Sequence, residues 1–84
     1  MNEIAIENQV KNIISELVKT RQKKKLSQRR LEKMTGIQQA IISKIETGVE
    51  MPRLDTLLKL SFSLEKTVTL TSLNVDLPPT STID

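Results

Sequence analysis

Glycine occurs at only two positions, Gly36 and Gly48, twelve residues apart, and each stands just past a short amphipathic run. Glycine takes the left-handed conformation that stops a helix, so the pair divides the middle of the chain into short helices joined by tight turns. The run before Gly36 starts at Ser27, a fitting N-cap, and turns Leu31 and Met34 inward. The next, from about Gln38 to Thr47, buries Ile37, Ile42 and Ile45 and leaves Gln38, Gln39, Ala40, Ser43 and Lys44 facing outward. Upstream, Val10, Ile13, Ile14, Leu17 and Val18 follow the period of one helix face, which predicts a helix from an Asn8 N-cap to about Lys24. Met1 to Glu7, with Ile4 and Ile6 alternating, reads either as an edge strand or as a frayed end.

Pro52 marks a loop, and a fourth helix is expected from about Leu54 to Leu64. Its apolar face is Leu54, Leu57, Leu58, Ser61 and Leu64, with Leu60 and Phe62 on the flanks. Beyond it the texture changes. Thr67-Val68-Thr69-Leu70-Thr71 alternates with period two and is β-branched, so a short strand is expected over residues 66–75. Leu77-Pro78-Pro79 and a Ser/Thr-rich end then predict a flexible tail over 76–84. The expected organisation is one helical domain over 8–65, a strand and a tail, without internal repeats.

Composition narrows the chemistry. A chain of 84 residues buries only about 60% of its unfolded surface, and such chains usually need a supplement to their core. Cys and His are both absent, so neither disulfides nor a zinc site can serve, and oligomerisation is the remaining supplement. The same absence excludes thiol nucleophiles, Ser/His/Asp triads and histidine bases. No nucleophile–base pair or glycine-rich phosphate loop is recognisable, so no catalysis and no cofactor are expected. Phe62 is the single aromatic, which leaves an aliphatic core and no stacking platform for single strands. Neither a signal peptide nor a spanning segment is apparent, and a cytoplasmic location, with the bacterial or phage nucleoid as setting, is expected.

Charge is unevenly placed. Lys19 to Arg30 holds seven Lys/Arg and no acid, whereas the rest of the chain holds six Lys/Arg against ten Asp/Glu. A basic block in an otherwise acidic chain suggests a polyanion-facing patch, although cations also suit the end of a helix. The outward face of the third helix adds a second hint. Glutamine pairs with the major-groove edge of adenine, lysine reaches guanine or phosphate, and a small Ala40 leaves room for a thymine methyl. Ordinary solvated helix faces use the same residue types, so this surface does not decide the matter alone.

The stretch LSQRRLEKMTGIQQAIISKIETGVEMPRLDTLLKL resembles the helix-turn-helix of the Cro/lambda-repressor type, the XRE family. The matching marks are Leu26-Ser27-Gln28, Leu31, Gly36-Ile37, Ile42-Ser43-Lys44-Ile45-Glu46, Gly48, Pro52 and Leu57, and the resemblance covers about Val10 to Leu64. It implies an all-α, four-helix, lambda-repressor-like domain whose third helix enters the major groove of duplex DNA while the second crosses the backbone. Gln39, Ala40 and Lys44 match base-reading positions, flanked by Gln38 and Ser43. Ser27 and Gln28 match phosphate-contacting positions, with Arg29, Lys25 and the loop residue Arg53 as further candidates. The resemblance also implies a bidentate ion pair between Arg21 and Glu46 that ties the recognition helix to the scaffold.

Two departures sharpen the likeness. Where relatives often have glycine after the fourth helix this chain reads Ser63-Leu64-Glu65, and where they continue with a fifth helix it turns to Thr67-Val68-Thr69-Leu70. In both respects it is similar to the HipB-type antitoxin repressors, whose C-terminal strands pair across a dimer. A lone strand needs a partner, so Val68 and Leu70 are the expected dimerisation residues. The expected function is that of a homodimeric repressor on a palindromic operator, with control of its own operon as one expected role. The alternative is an antitoxin that neutralises a partner toxin protein.

Overall fold

A computed structural model describes residues 2–72 and folds them around four helices, α1 (Glu3–Lys23), α2 (Gln28–Thr35), α3 (Gln39–Glu46) and α4 (Leu54–Ser63). The core is aliphatic: Ile14, Leu17, Leu31, Ile42, Ile45, Leu60 and Leu64 are buried together, with Val10, Val18, Leu26, Ile37, Ile41 and Leu57 packed around them. Helix α3 rests on both α1 and α2, and α4 rests on α2.

The first helix begins earlier than the apolar periodicity suggests. Asn2, rather than Asn8, is the N-cap: its Oδ1 accepts the N–H groups of Ile4 at 2.9 Å and Ala5 at 3.2 Å. Glu3 in the first turn suits the positive end of the helix dipole. The Ile4/Ile6 alternation is therefore not a strand signal, and both side chains are exposed on the first turns of α1. Inward positions also shift in α2 and α4. Met34 is exposed, because Thr35 takes the inward place and its hydroxyl donates to the Leu31 carbonyl while accepting the Ile37 N–H. Leu54 is exposed at the start of α4, and Leu60 is buried in its stead. Ser61 is fully buried, its hydroxyl donating to the Leu57 carbonyl at 2.8 Å.

Helix ends repeat one device. After α1, α3 and α4 the chain turns through a left-handed residue, at Lys25 (φ 58°), Gly48 (φ 81°) and Glu65 (φ 62°). In each case the next N–H reaches back to close the end: Leu26 to Arg21 at 3.1 Å, Val49 to Lys44 at 2.8 Å, Lys66 to Ser61 at 2.8 Å. Gly36 (φ 81°) ends α2 with a single bond to the Glu32 carbonyl. Glu65 thus occupies a left-handed position without being glycine. Its carboxylate accepts from Lys24 Nζ at 2.7 Å, and that hydrogen bond, with the ammonium charge, holds the carboxyl below its ordinary range.

Among the described residues, no part of the expected strand over 66–75 is in strand form. Residues 66–72 follow α4 without regular structure, Val68 half-buried and Leu70 fully exposed. The remainder of that segment, and the expected tail over 76–84, lie outside the described residues.

The expected ion pair is present and joins α1 to the end of α3. Arg21 Nε donates to Glu46 Oε2 at 2.7 Å and its Nη2 donates to Oε1 at 2.8 Å, while Nη1 donates to the Leu26 carbonyl at 2.7 Å. Both side chains are nearly buried, at 12% and 13% exposure. Removing one partner of such a pair strands the other charge in a poor solvent.

Two predictions follow from these contacts. Glu46→Ala destabilises the fold by about 3 kcal/mol, and Glu46→Gln by less because its amide oxygen still accepts from the guanidinium; urea unfolding followed by circular dichroism measures both. At the turns, Gly36→Ala costs about 1–2 kcal/mol through backbone strain alone, since an added Cβ meets nothing within 4 Å. Lys25→Gly relieves the same strain and stabilises by about 0.5–1 kcal/mol, the gain being reduced by the freer unfolded chain. Opposite signs at Gly36 and Lys25 in one set of thermal melts are the expected result.

Candidate nucleic-acid interface

The turn between α2 and α3 sets the geometry of the site. Gly36 stops α2, and α3 starts three residues later with Gln38 as its N-cap residue but no side-chain cap of its own. Its cap comes from the neighbouring helix instead: Glu32 Oε1 accepts the Gln39 N–H at 3.3 Å. Sequence reading missed this role, because capping signals are read within the first turn whereas Glu32 lies seven residues earlier, in the preceding helix. The effect is to pin the first turn of α3 against α2.

Gln28 and Gln39 are joined to the Arg21–Glu46 pair in one chain of hydrogen bonds. Gln28 Nε2 donates to Glu46 Oε1 at 2.8 Å, and Gln39 Nε2 donates to Gln28 Oε1 at 2.6 Å. Four side chains from α1, α2 and α3 are therefore linked in sequence, Arg21 to Glu46 to Gln28 to Gln39. No buried side-chain nitrogen or oxygen among the described residues lacks a partner. Each glutamine amide has two N–H donors and an oxygen acceptor. Gln39 uses one N–H on Gln28, which leaves its oxygen and second N–H for another partner. Gln28 is half-buried, so its side chain braces Gln39 rather than standing free in solvent.

The remaining predicted residues fall as follows. Gln38, Ala40 and Lys44 are exposed on α3 and Ser43 is half-exposed beside them. Lys25, Arg29 and Arg30 are exposed around the start of α2. Ser27 caps that helix, its Oγ accepting the Arg30 N–H at 3.0 Å. The backbone N–H groups of Gln28 and Arg29 have no partner among the described residues, so they remain available to an anion at the positive end of the helix. The structure thus brings an acid-free polar face of α3 beside a cationic entrance to α2. Arg53 stands apart from this cluster in one respect, since its Nε pairs with Asp55 Oδ1 at 3.3 Å on the open surface. Val68 and Leu70 lie beyond α4 and are not part of the site.

Among the described residues, no group of acidic side chains is placed to hold a metal ion, and no helix is long and apolar enough to cross a membrane.

Known proteins are similar to this chain. The model of the helix-turn-helix family HTH_3 matches residues 17–68. An uncharacterized HTH-type transcriptional regulator of Haemophilus influenzae is 43% identical over 63 residues, covering 75% of this chain; the chain spans 64% of that relative's length. Among solved structures, a toxin-antitoxin module from Streptococcus pneumoniae superposes with a TM-score of 0.70 at 42% identity, over 84% of this chain and 79% of that one. With α2 and α3 meeting at Gly36 and the family's model spanning most of the four helices, the chain belongs to the helix-turn-helix family.

Proposed function

We propose that this protein is a sequence-specific, double-stranded DNA-binding transcriptional repressor that acts as a homodimer on a palindromic operator. The observation that carries the reading is the hydrogen-bonded chain from Glu46 through Gln28 to Gln39. It holds the Gln39 amide in one orientation and leaves a donor and an acceptor unspent, the combination that adenine's major-groove edge requires. Gln38, Ala40, Ser43 and Lys44 form the rest of the base-facing surface. Ser27, Gln28, Arg29, Lys25 and Arg53 contact phosphates, which fix the register of the helix on the duplex and supply most of the affinity. Two copies place their recognition helices in successive major grooves, with half-sites about 34 Å apart or a multiple of that distance. Val68 and Leu70 join the two copies by pairing residues 66–75 of each chain as strands, an arrangement in which each strand finds the partner it lacks alone. The protein acts in the cytoplasm on its own operon.

A second reading is favoured by the 42% identity to a toxin-antitoxin module. In it the chain is the antitoxin, binding and neutralising a toxin protein encoded beside it while repressing the shared operon. The two roles are compatible. Co-expression with the neighbouring gene product separates them: relief of growth arrest together with a stoichiometric complex supports the antitoxin role, and continued arrest without a complex removes it.

The DNA reading is tested by titrating a selected operator and a single-base variant of it. Gln39→Ala lowers discrimination between the two by about 1–3 kcal/mol. Gln28→Ala removes part of that same discrimination, because Gln39 loses its brace, and the double variant is no less specific than Gln39→Ala alone. Undiminished discrimination in Gln39→Ala eliminates it as a reader, and strictly additive losses eliminate the bracing role of Gln28.

A further inference from the structure

Helix α4 is apolar on two sides. Its inner side, Leu57, Leu60, Ser61 and the following Leu64, packs into the core. A second row, Leu54, Leu58 and Phe62, repeats every four residues and so lies along one flank of the helix. Leu54 and Phe62 are 68% and 62% exposed, and Leu58 is half-buried between them. A helix that is apolar over more of its circumference than its own core covers has an unmet partner. The single aromatic of the chain stands in that row rather than in the core, and aromatic residues concentrate in protein interfaces.

We propose that this row packs, antiparallel and about a two-fold axis, against the same row of a second copy of the chain. The inference rests on the homodimer reading and supplies its main contact surface. Charge selects both the occupant and the direction. Asp55 and Lys59 are exposed, opposite in sign, and border the row one turn apart. Asp55 Oδ1 accepts the Thr56 N–H at 2.9 Å and pairs with the exposed Arg53 at 3.3 Å, and the side chain stays accessible. In a two-fold contact every residue meets its counterpart's neighbour reciprocally. Antiparallel packing centred on Leu58 sets Leu54 against Phe62 of the second copy and brings Asp55 alongside the second copy's Lys59. Parallel packing about a two-fold axis instead puts the two Asp55/Lys59 flanks on opposite sides of the contact, where neither charge meets its opposite in the second copy. Three side chains on one short helix bury less than the roughly 1,000 Å² of a stable interface. Val68 and the exposed Leu70, which follow α4 in the chain and are proposed above to join the two copies, supply the remaining area in the proposed dimer.

Sedimentation velocity of the full chain over a concentration series tests the proposal, with wild type, Phe62→Glu and Leu70→Glu compared. Phe62 faces solvent in the single chain, so Phe62→Glu keeps its helical circular dichroism spectrum. It raises the dimer dissociation constant about 30-fold, as the loss of one interface hot spot does. Asp55→Lys weakens the dimer, and adding Lys59→Asp restores it. A wild type that stays monomeric at every concentration overturns the homodimer reading itself. A wild-type dimer that Leu70→Glu dissociates and Phe62→Glu leaves intact overturns only the α4 surface. Failure of the charge swap to restore association overturns the antiparallel arrangement.

Discussion

The guanidinium of Arg21 and the carboxylate of Glu46 hold the molecule's two working parts together. Helix α1 supplies the long scaffold, and α3 carries the face proposed to read DNA; the bidentate contact at 2.7 and 2.8 Å fixes the end of one to the end of the other. Its contribution is one of orientation more than of net stability, since burying both charges offsets much of their attraction. Orientation matters here because α3 is only eight residues long and has no side-chain cap of its own. An isolated helix of that length does not persist in water. Glu46 at its end, the Glu32 cap at its start and the buried Ile42 and Ile45 between them define its place. Glu46 then passes the constraint on, through Gln28, to the amide of Gln39.

Division of labour over the surface follows from that frame. Cations gather where α1 ends and α2 begins, at Lys23, Lys24, Lys25, Arg29 and Arg30, next to the acid-free face of α3. Exposed apolar side chains lie at several places, and Leu54, Phe62 and Leu70 among them stand on α4 and the residues after it. A small chain without cysteine or histidine has an incentive to use such a surface for association, because its own core is small. The proposed dimer therefore answers two needs together: it covers α4 and it sets two recognition helices at a fixed separation.

Much of this was legible in the sequence. Gly36 and Gly48 marked the ends of α2 and α3 because their left-handed φ is a property of one residue. Ser27 marked the start of α2, and the isoleucines of α3 marked its buried side, for similarly local reasons. Arg21 and Glu46 came from family resemblance and proved to be in contact; their separation in the chain gives no local signal. The errors share a cause. Asn8, Met34 and Leu54 were placed by periodicity, which registers a face but not where neighbouring helices end and leave it uncovered. Lys25 and Glu65 carry left-handed turns that composition hides, since neither is glycine. The bracing role of Gln28 was beyond reach of sequence, because it depends on which of several polar neighbours lies within hydrogen-bond distance once three helices have packed.

Selection of bound duplexes from a random pool, repeated over a range of salt concentrations, tests the central claim most directly. The frame described here predicts enrichment of one short motif, repeated with two-fold symmetry at about one helical turn or a multiple of it. It also predicts affinity that falls linearly with salt on logarithmic axes, with a slope set by the phosphates contacted. Equal, weak retention of every sequence, with no motif emerging at any salt concentration, would contradict it.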